Sequence, residues 1–188
     1  GEVNWMTAGR GITHSERLEY ARRHGALMHG IQAWVALPTE NEDDEPAFYH
    51  YEGAEQLPEW HEDGVASRLI AGSANGLTLF YLDWMMTAGS KRQLTVSYPE
   101  RAVYVAEGQV ELNHHPLKAG QMLVLDKGQA AHLHALSDAR VMLLGGEPIG
   151  KRFIYWNFVS SSREKIEQAA NDWQAQRMKL PVNDDHEF

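Results

Sequence analysis

Nine short runs of strand-forming residues, separated by turn signals, constrain this chain more than any other feature of its sequence. They are Val3–Thr7, Ile31–Leu37, Phe48–Tyr51, Ala66–Ala71, Leu77–Met86, Leu94–Tyr98, Ala102–Ala106, Met122–Leu125 and Arg140–Leu144. Val, Tyr, Trp, Phe and Leu dominate them, side chains that suit a pleated and half-buried surface. Asp63-Gly64 and Asn75-Gly76 are tight-turn dipeptides of the kind that joins neighbouring strands. Regular spacing of short strands predicts an all-β sandwich or barrel.

One helix is expected near the C-terminal end. Within Arg163–Met178, Ile166, Ala169, Ala170, Trp173 and Arg177 recur at three-and-four spacing, which places them on one helix face. Ser161 and Glu164 have capping-box spacing. Arg177 and Lys179 suit the negative end of the helix dipole, and Pro181 is expected to stop the helix. Its contact with the β body is expected through Trp173.

Charge and composition narrow the function classes. Among 188 residues, 17 Lys and Arg face 26 Asp and Glu, a net charge of −9. Phosphate recognition needs clustered cations, so no direct nucleic-acid binding is expected. The chain has no Cys and 10 His. Thiolate metal sites, disulfides and thiol nucleophiles are thereby excluded, and His and carboxylates remain as the strong metal ligands. Absence of Cys is compatible with a reducing, cytoplasmic location. No run approaches the roughly 18 apolar residues of a membrane span, since Asp83 interrupts Leu77–Met86. Glu2, Asn4 and Arg10 occupy positions where a signal peptide would be apolar. The acidic stretch from Glu40 to Glu45 lacks EF-hand spacing and reads as a solvated loop.

Two β units are expected, bordering around Leu57–Asp63. Gly1 and Gly9 enclose Val3, Trp5 and Met6, while Gly120 and Gly128, at the same separation, enclose Met122, Leu123, Val124 and Leu125. A His-bearing segment follows each, which points to a duplicated barrel.

The chemistry-bearing candidates begin with His14 and Glu16. Alternate residues of an extended strand share a face, so both can point into one cavity. Imidazole and carboxylate make half of a four-ligand site for a divalent metal, although on spacing alone a surface pair is the simpler reading. Nucleophile-elbow, phosphate-loop and His-Glu-x-x-His patterns are absent, and Gly9-Arg10-Gly11 lacks the third Gly of a dinucleotide site.

The run Gly1-Glu2-Val3-Asn4-Trp5-Met6-Thr7-Ala8-Gly9-Arg10-Gly11-Ile12-Thr13-His14-Ser15-Glu16 closely resembles the signature of the pirin family. The resemblance continues through Gly30 to Pro38 and Glu45-Pro46, resumes at Gly145 to Ile149, and extends from Phe158 through the terminal helix. It implies an all-β bicupin: two β-barrel, jelly-roll cupin domains with a C-terminal α-helix. One metal is implied in the N-terminal barrel, held by a His-x-His motif, a further His and a Glu, the last two corresponding to His14 and Glu16. The metal expected from the family is Fe(II), with Mn, Ni, Zn and Cu as alternatives.

The His-x-His motif is expected upstream of Gly1, so the ligand set in this chain is expected to be incomplete. The resemblance then divides the chain into residues 1–56, the later part of the metal-binding barrel and connection, residues 57–159, a second and metal-free barrel, and residues 160–188, helix and tail. His132-Leu133-His134 falls in that second barrel, where exposed hairpin histidines explain it more simply than a separate site with His114 and His115. Gln32 either orients a ligand or substrate from behind the metal ligands or is a half-buried Gln satisfied by backbone. Arg10 either anchors an anionic substrate or serves the turn.

The function implied is a quercetin 2,3-dioxygenase, a flavonol ring-opening oxygenase that uses O₂ and releases CO, with Glu16 as general base. The alternative is a non-catalytic metal- or redox-sensing regulator that binds a transcription factor or metabolic enzyme. A further alternative is an inactive fragment.

Overall fold

The computed structural model describes residues 1–53, 56–72, 78–95, 98–182 and 184. Fourteen strands lie among the described residues. The first nine are β1 (Val3–Thr7), β2 (Ala47–Tyr51), β3 (Glu59–Glu62), β4 (Val65–Ala71), β5 (Leu79–Met86), β6 (Lys91–Leu94), β7 (Glu100–Glu107), β8 (Gln109–Leu112) and β9 (His115–Lys118). The rest are β10 (Met122–Leu125), β11 (Ala131–Ala135), β12 (Ala139–Gly146), β13 (Phe153–Tyr155) and β14 (Phe158–Ser160), with helices α1 (Glu19–His24) and α2 (Arg163–Gln174). The chain divides into two compact units, one formed by Gly1–Trp5 with Tyr49–Pro148 and the other by Met6–Phe48 with Ile149–Phe188.

The first unit is built on two antiparallel sheets. One runs β10-β7-β12-β5-β4-β3 and the other β6-β11-β8-β9. Period-two alternation sorts their side chains: Phe80, Leu82, Trp84 and Met86 of β5 are buried on one face, while Met85 between the last two is exposed. They join Val103 and Val105 of β7, Val110 and Leu112 of β8, Leu133 of β11 and Val141 and Leu143 of β12 in a single core cluster. Burial of such aliphatic side chains, about 1.5–3 kcal/mol each, is the main force holding the two sheets face to face.

The opposite face of the six-stranded sheet carries a buried charge. Asp83 lies opposite Arg68 in the β4–β5 register, and Arg140 donates to it from Nε at 3.0 Å and Nη2 at 2.6 Å. That hydrogen bond pushes the Arg140 guanidinium pKa further above its already high value, despite partial burial.

In the second unit, β13 and β14 form a hairpin against α2. Trp156 of that hairpin packs on Trp173 of α2 with ring centroids 5.0 Å apart, and Ile166 is the buried residue of the helix. The expected contact through Trp173 is made with this two-stranded hairpin.

Several sequence expectations need correction. Ile31–Leu37 has strand-forming side chains but is irregular, with Ile31, Trp34 and Val35 exposed. Strand propensity alone leaves a segment irregular when no neighbouring strand takes its backbone hydrogen bonds. Lys91–Leu94 forms β6, ending where the expected Leu94–Tyr98 strand begins. Helix α2 ends at Gln174 rather than Met178, so Pro181 does not stop it. Its N-cap is Ser162, whose Oγ accepts from the Lys165 N–H at 3.3 Å, one residue later than the expected Ser161. Asp63-Gly64 does join β3 to β4. The expected Asn75-Gly76 turn and the Leu77 end of β5 lie outside the described residues.

Candidate functional site

The segment after β1 begins with a turn. The Gly11 N–H donates to the Ala8 carbonyl at 2.9 Å, and the Arg10 N–H to the Asp44 carbonyl at 2.9 Å. Gly9 has φ +50°, and a Cβ there would fall 2.0 Å from the Asp44 oxygen, so only glycine lets the turn approach that backbone. The Arg10 side chain is exposed, and its Nη1 donates to Glu45 Oε1 at 2.5 Å. Arg10 is therefore an ion-paired turn residue.

His14 and Glu16 follow in a stretch without regular secondary structure, and both are exposed. The residues that flank them are tied down. Thr13 Oγ1 donates to the Lys179 carbonyl at 2.5 Å, and Arg17 forms an ion pair with Asp184. Gln32 is exposed and lies in the irregular 31–37 stretch, so the half-buried placement considered for it does not hold.

The donor chemistry of His14 and Glu16 suits a divalent metal. Two donors do not define a site, and among the described residues no group of three or more His, Cys, Asp or Glu could hold a metal ion. The described residues do not by themselves fit a metal centre. His132 and His134 lie on the outward face of the four-stranded sheet, opposite Gln93 and Glu111 respectively.

A cluster that sequence reasoning missed lies in the acidic stretch. The Glu42 side chain is only 9% exposed, not solvated. Its carboxylate accepts from the Ser161 N–H at 2.9 Å, from the Ser161 hydroxyl at 3.0 Å and from the Ser160 hydroxyl at 3.0 Å. Burial alone would push this carboxyl up; the Ser161 backbone and hydroxyl, the Ser160 hydroxyl and the Arg152 charge together outweigh it and hold the carboxyl below its ordinary value. Arg152 also donates from Nη2 to the Leu37 carbonyl at 2.8 Å. Asp43 pairs with Lys165 at 2.6 Å. Nothing in the spacing of six consecutive polar residues marks which carboxylate is buried.

Residues 81–179 match the family model described as the pirin C-terminal cupin domain, and residues 1–35 match the one described as pirin. The chain belongs to the pirin family. It is 53% identical to a pirin-like protein of Caulobacter vibrioides, over all of this chain and 68% of that protein. It is 31% identical to pirin-1 of Arabidopsis thaliana, over 93% of this chain and 64% of that protein. A crystal structure of quercetin 2,3-dioxygenase from Acinetobacter baumannii matches with a TM-score of 0.81 and 29% identity, over 94% of this chain and 66% of that one. The fold of this pirin-family chain is thus the all-β cupin fold with a C-terminal helix. His14, Glu16, Arg10 and Gln32 all fall inside the residues matched to the pirin model.

Proposed function

We propose that this chain is the later part of a pirin-type, metal-dependent oxygenase that opens flavonol-type rings. His14 and Glu16 contribute two ligands to a divalent metal, Fe(II) by family resemblance, and the remaining ligands come from outside the described residues. The supporting observation is the pirin match over residues 1–35, which contains both side chains, together with the likeness to a quercetin 2,3-dioxygenase structure. Residues 1–56 then belong with the metal-binding barrel, 57–159 with a second barrel, and 160–188 with the terminal helix and tail.

Two exposed side chains held between anchored neighbours, Thr13 and Arg17, remain reachable from solvent. Glu16 accepts the proton of the flavonol hydroxyl as that group ionises, a role for which a carboxylate within hydrogen-bond reach is sufficient. Arg10 stays with Glu45 and contributes through the turn.

The test is turnover of quercetin under O₂ by the full-length, Fe(II)-loaded protein, followed by loss of flavonol absorbance and release of CO. Activity that disappears in His14→Ala is the expected result. No turnover above that variant would sink the proposal for this substrate.

A further inference from the structure

The segment that bears His14 and Glu16 has little backbone support of its own. Residues 12–16 lie outside regular secondary structure and make no backbone–backbone hydrogen bond among the described residues. Side chains anchor it instead, and both anchors end on one stretch of the same unit, residues 179–184. Thr13 Oγ1 donates to the Lys179 carbonyl at 2.5 Å. Arg17 donates to Asp184 twice, from Nε to Oδ2 at 3.1 Å and from Nη2 to Oδ1. The two anchors bracket His14, Ser15 and Glu16.

The stretch that receives these anchors is directed by α2. Just past the helix Gln176 adopts φ +55°, the left-handed conformation that turns a chain away from a helix end. The Gln176 N–H donates to the Trp173 carbonyl at 3.0 Å and the Arg177 N–H to the Asp172 carbonyl at 2.9 Å, which closes that turn. Arg177 Nε also donates to the Asp172 carboxylate at 2.6 Å. Met178, Leu180 and Pro181 are half-buried beyond it. The Asp184 N–H donates to the Pro181 carbonyl at 3.1 Å, a second turn that leaves the carboxylate 13% exposed against Arg17. Packing of α2 through Trp173 is thus relayed, by two turns, to residues 13 and 17.

We propose that Asp184 is a positioning residue: residues 179–184 are a strap from α2 that fixes the backbone between Thr13 and Arg17, and with it the directions in which His14 and Glu16 point. A carboxylate that meets a planar guanidinium through two bonds fixes an orientation as well as a distance. Thr13 holds the other end by a neutral hydrogen bond, so the segment is fastened on both sides of the two side chains. What His14 and Glu16 then do rests on the oxygenase reading; that they are held does not.

Amide nitrogen relaxation of the metal-free protein tests the strap. The Ser15 and Glu16 order parameters are expected near the rigid-backbone value of about 0.85 and to fall toward about 0.6 in Asp184→Asn. Asp184→Glu, which keeps the carboxylate, is expected to recover most of that loss. About 1 M salt is expected to loosen the unmutated segment and leave Asp184→Asn unchanged, since only the ion pair is screened. In the quercetin assay of the full-length protein Asp184→Asn is expected to lower kcat about tenfold at unchanged KM, the mark of lost positioning. Unchanged order at Ser15 and Glu16 in Asp184→Asn, equal loosening in Asp184→Glu, or loosening that spreads to the core strand β12 would each overturn the proposal. If the unmutated protein turns over no quercetin, the oxygenase reading falls and the relaxation result still decides the strap.

Discussion

Glu42 and Arg152 lie 2.9 Å apart, with side chains only 9% and 8% exposed. Through them and the two serines of the β14–α2 connection, the acidic stretch grips the terminal segment of the second unit. An ion pair so far removed from water is sustained by its hydrogen bonds, and loss of either partner strands the other.

The Glu42 carboxyl is held below its ordinary value of 4.5. As pH falls, the unfolded chain takes up this proton before the folded one does. The stability it contributes is therefore complete above about pH 4.5 and is lost as pH drops through the folded-state value. Glu42→Gln is expected to cost on the order of 3 kcal/mol at neutral pH and to flatten the acid loss, as measured by urea unfolding at a series of pH values.

Ser161 and Ser162 are neighbours with separate tasks. Ser162 caps α2 and Ser161 serves Glu42. Ser162→Ala is expected to cost about 1 kcal/mol and to leave the acid midpoint of the Glu42 carboxyl in place, while freeing the Glu164 carboxyl that the same hydroxyl holds below its ordinary value. Ser161→Ala should lose a similar amount and raise that midpoint, because one of the groups that hold the carboxyl ionised is gone.

Asp83 is 1% exposed and sits between Arg140 and Arg68, the latter at 3.7 Å. Asp83→Ala leaves two cations facing each other on a sheet surface. A loss of about 3–5 kcal/mol is expected, read as a fall in the unfolding midpoint, and Asp83→Asn should lose less because it keeps the acceptor oxygen.

Gly145 lies in β12 where a Cβ would fall 2.0 Å from the Glu100 carbonyl oxygen. Gly145→Ala must part β12 from β7, at a cost of about 1–3 kcal/mol or more. Faster amide exchange at the Glu100 end of β7 would localise the damage.

Legibility in the sequence followed alternation. The bounds of β1 and β10 agree with the structure to the residue: Val3–Thr7 alternates between half-buried and exposed residues up to the turn at Gly9, and Met122–Leu125 is a compact apolar run between the turn glycines Gly120 and Gly128. Strands β8 and β9 went unread because Gln109–Leu112 and His115–Lys118 are four residues long and expose polar side chains on their outer face. Ile31–Leu37 errs the other way, since composition reports what a segment would do beside a partner strand and not whether it has one. His14 and Glu16 were found through a family signature, whereas Glu42 depends on Arg152, a residue with no visible relation to it along the chain. The contact of the Arg92 guanidinium with the Trp84 ring, 5.2 Å from its centroid, was hidden for a similar reason: the two look like surface and core until strand register brings them together.

The place of β12 between β5 and β7 imposes an order on assembly. During synthesis both older strands leave the ribosome with edges that only residues 139–146 can fill. Until then Leu82, Trp84, Val103 and Val105 belong to half-sheets with no common centre, and long-range pairing of this kind closes slowly. A polypeptide that stops short of Ala139 keeps two open, valine- and leucine-rich edges, the template on which unfinished chains associate with one another.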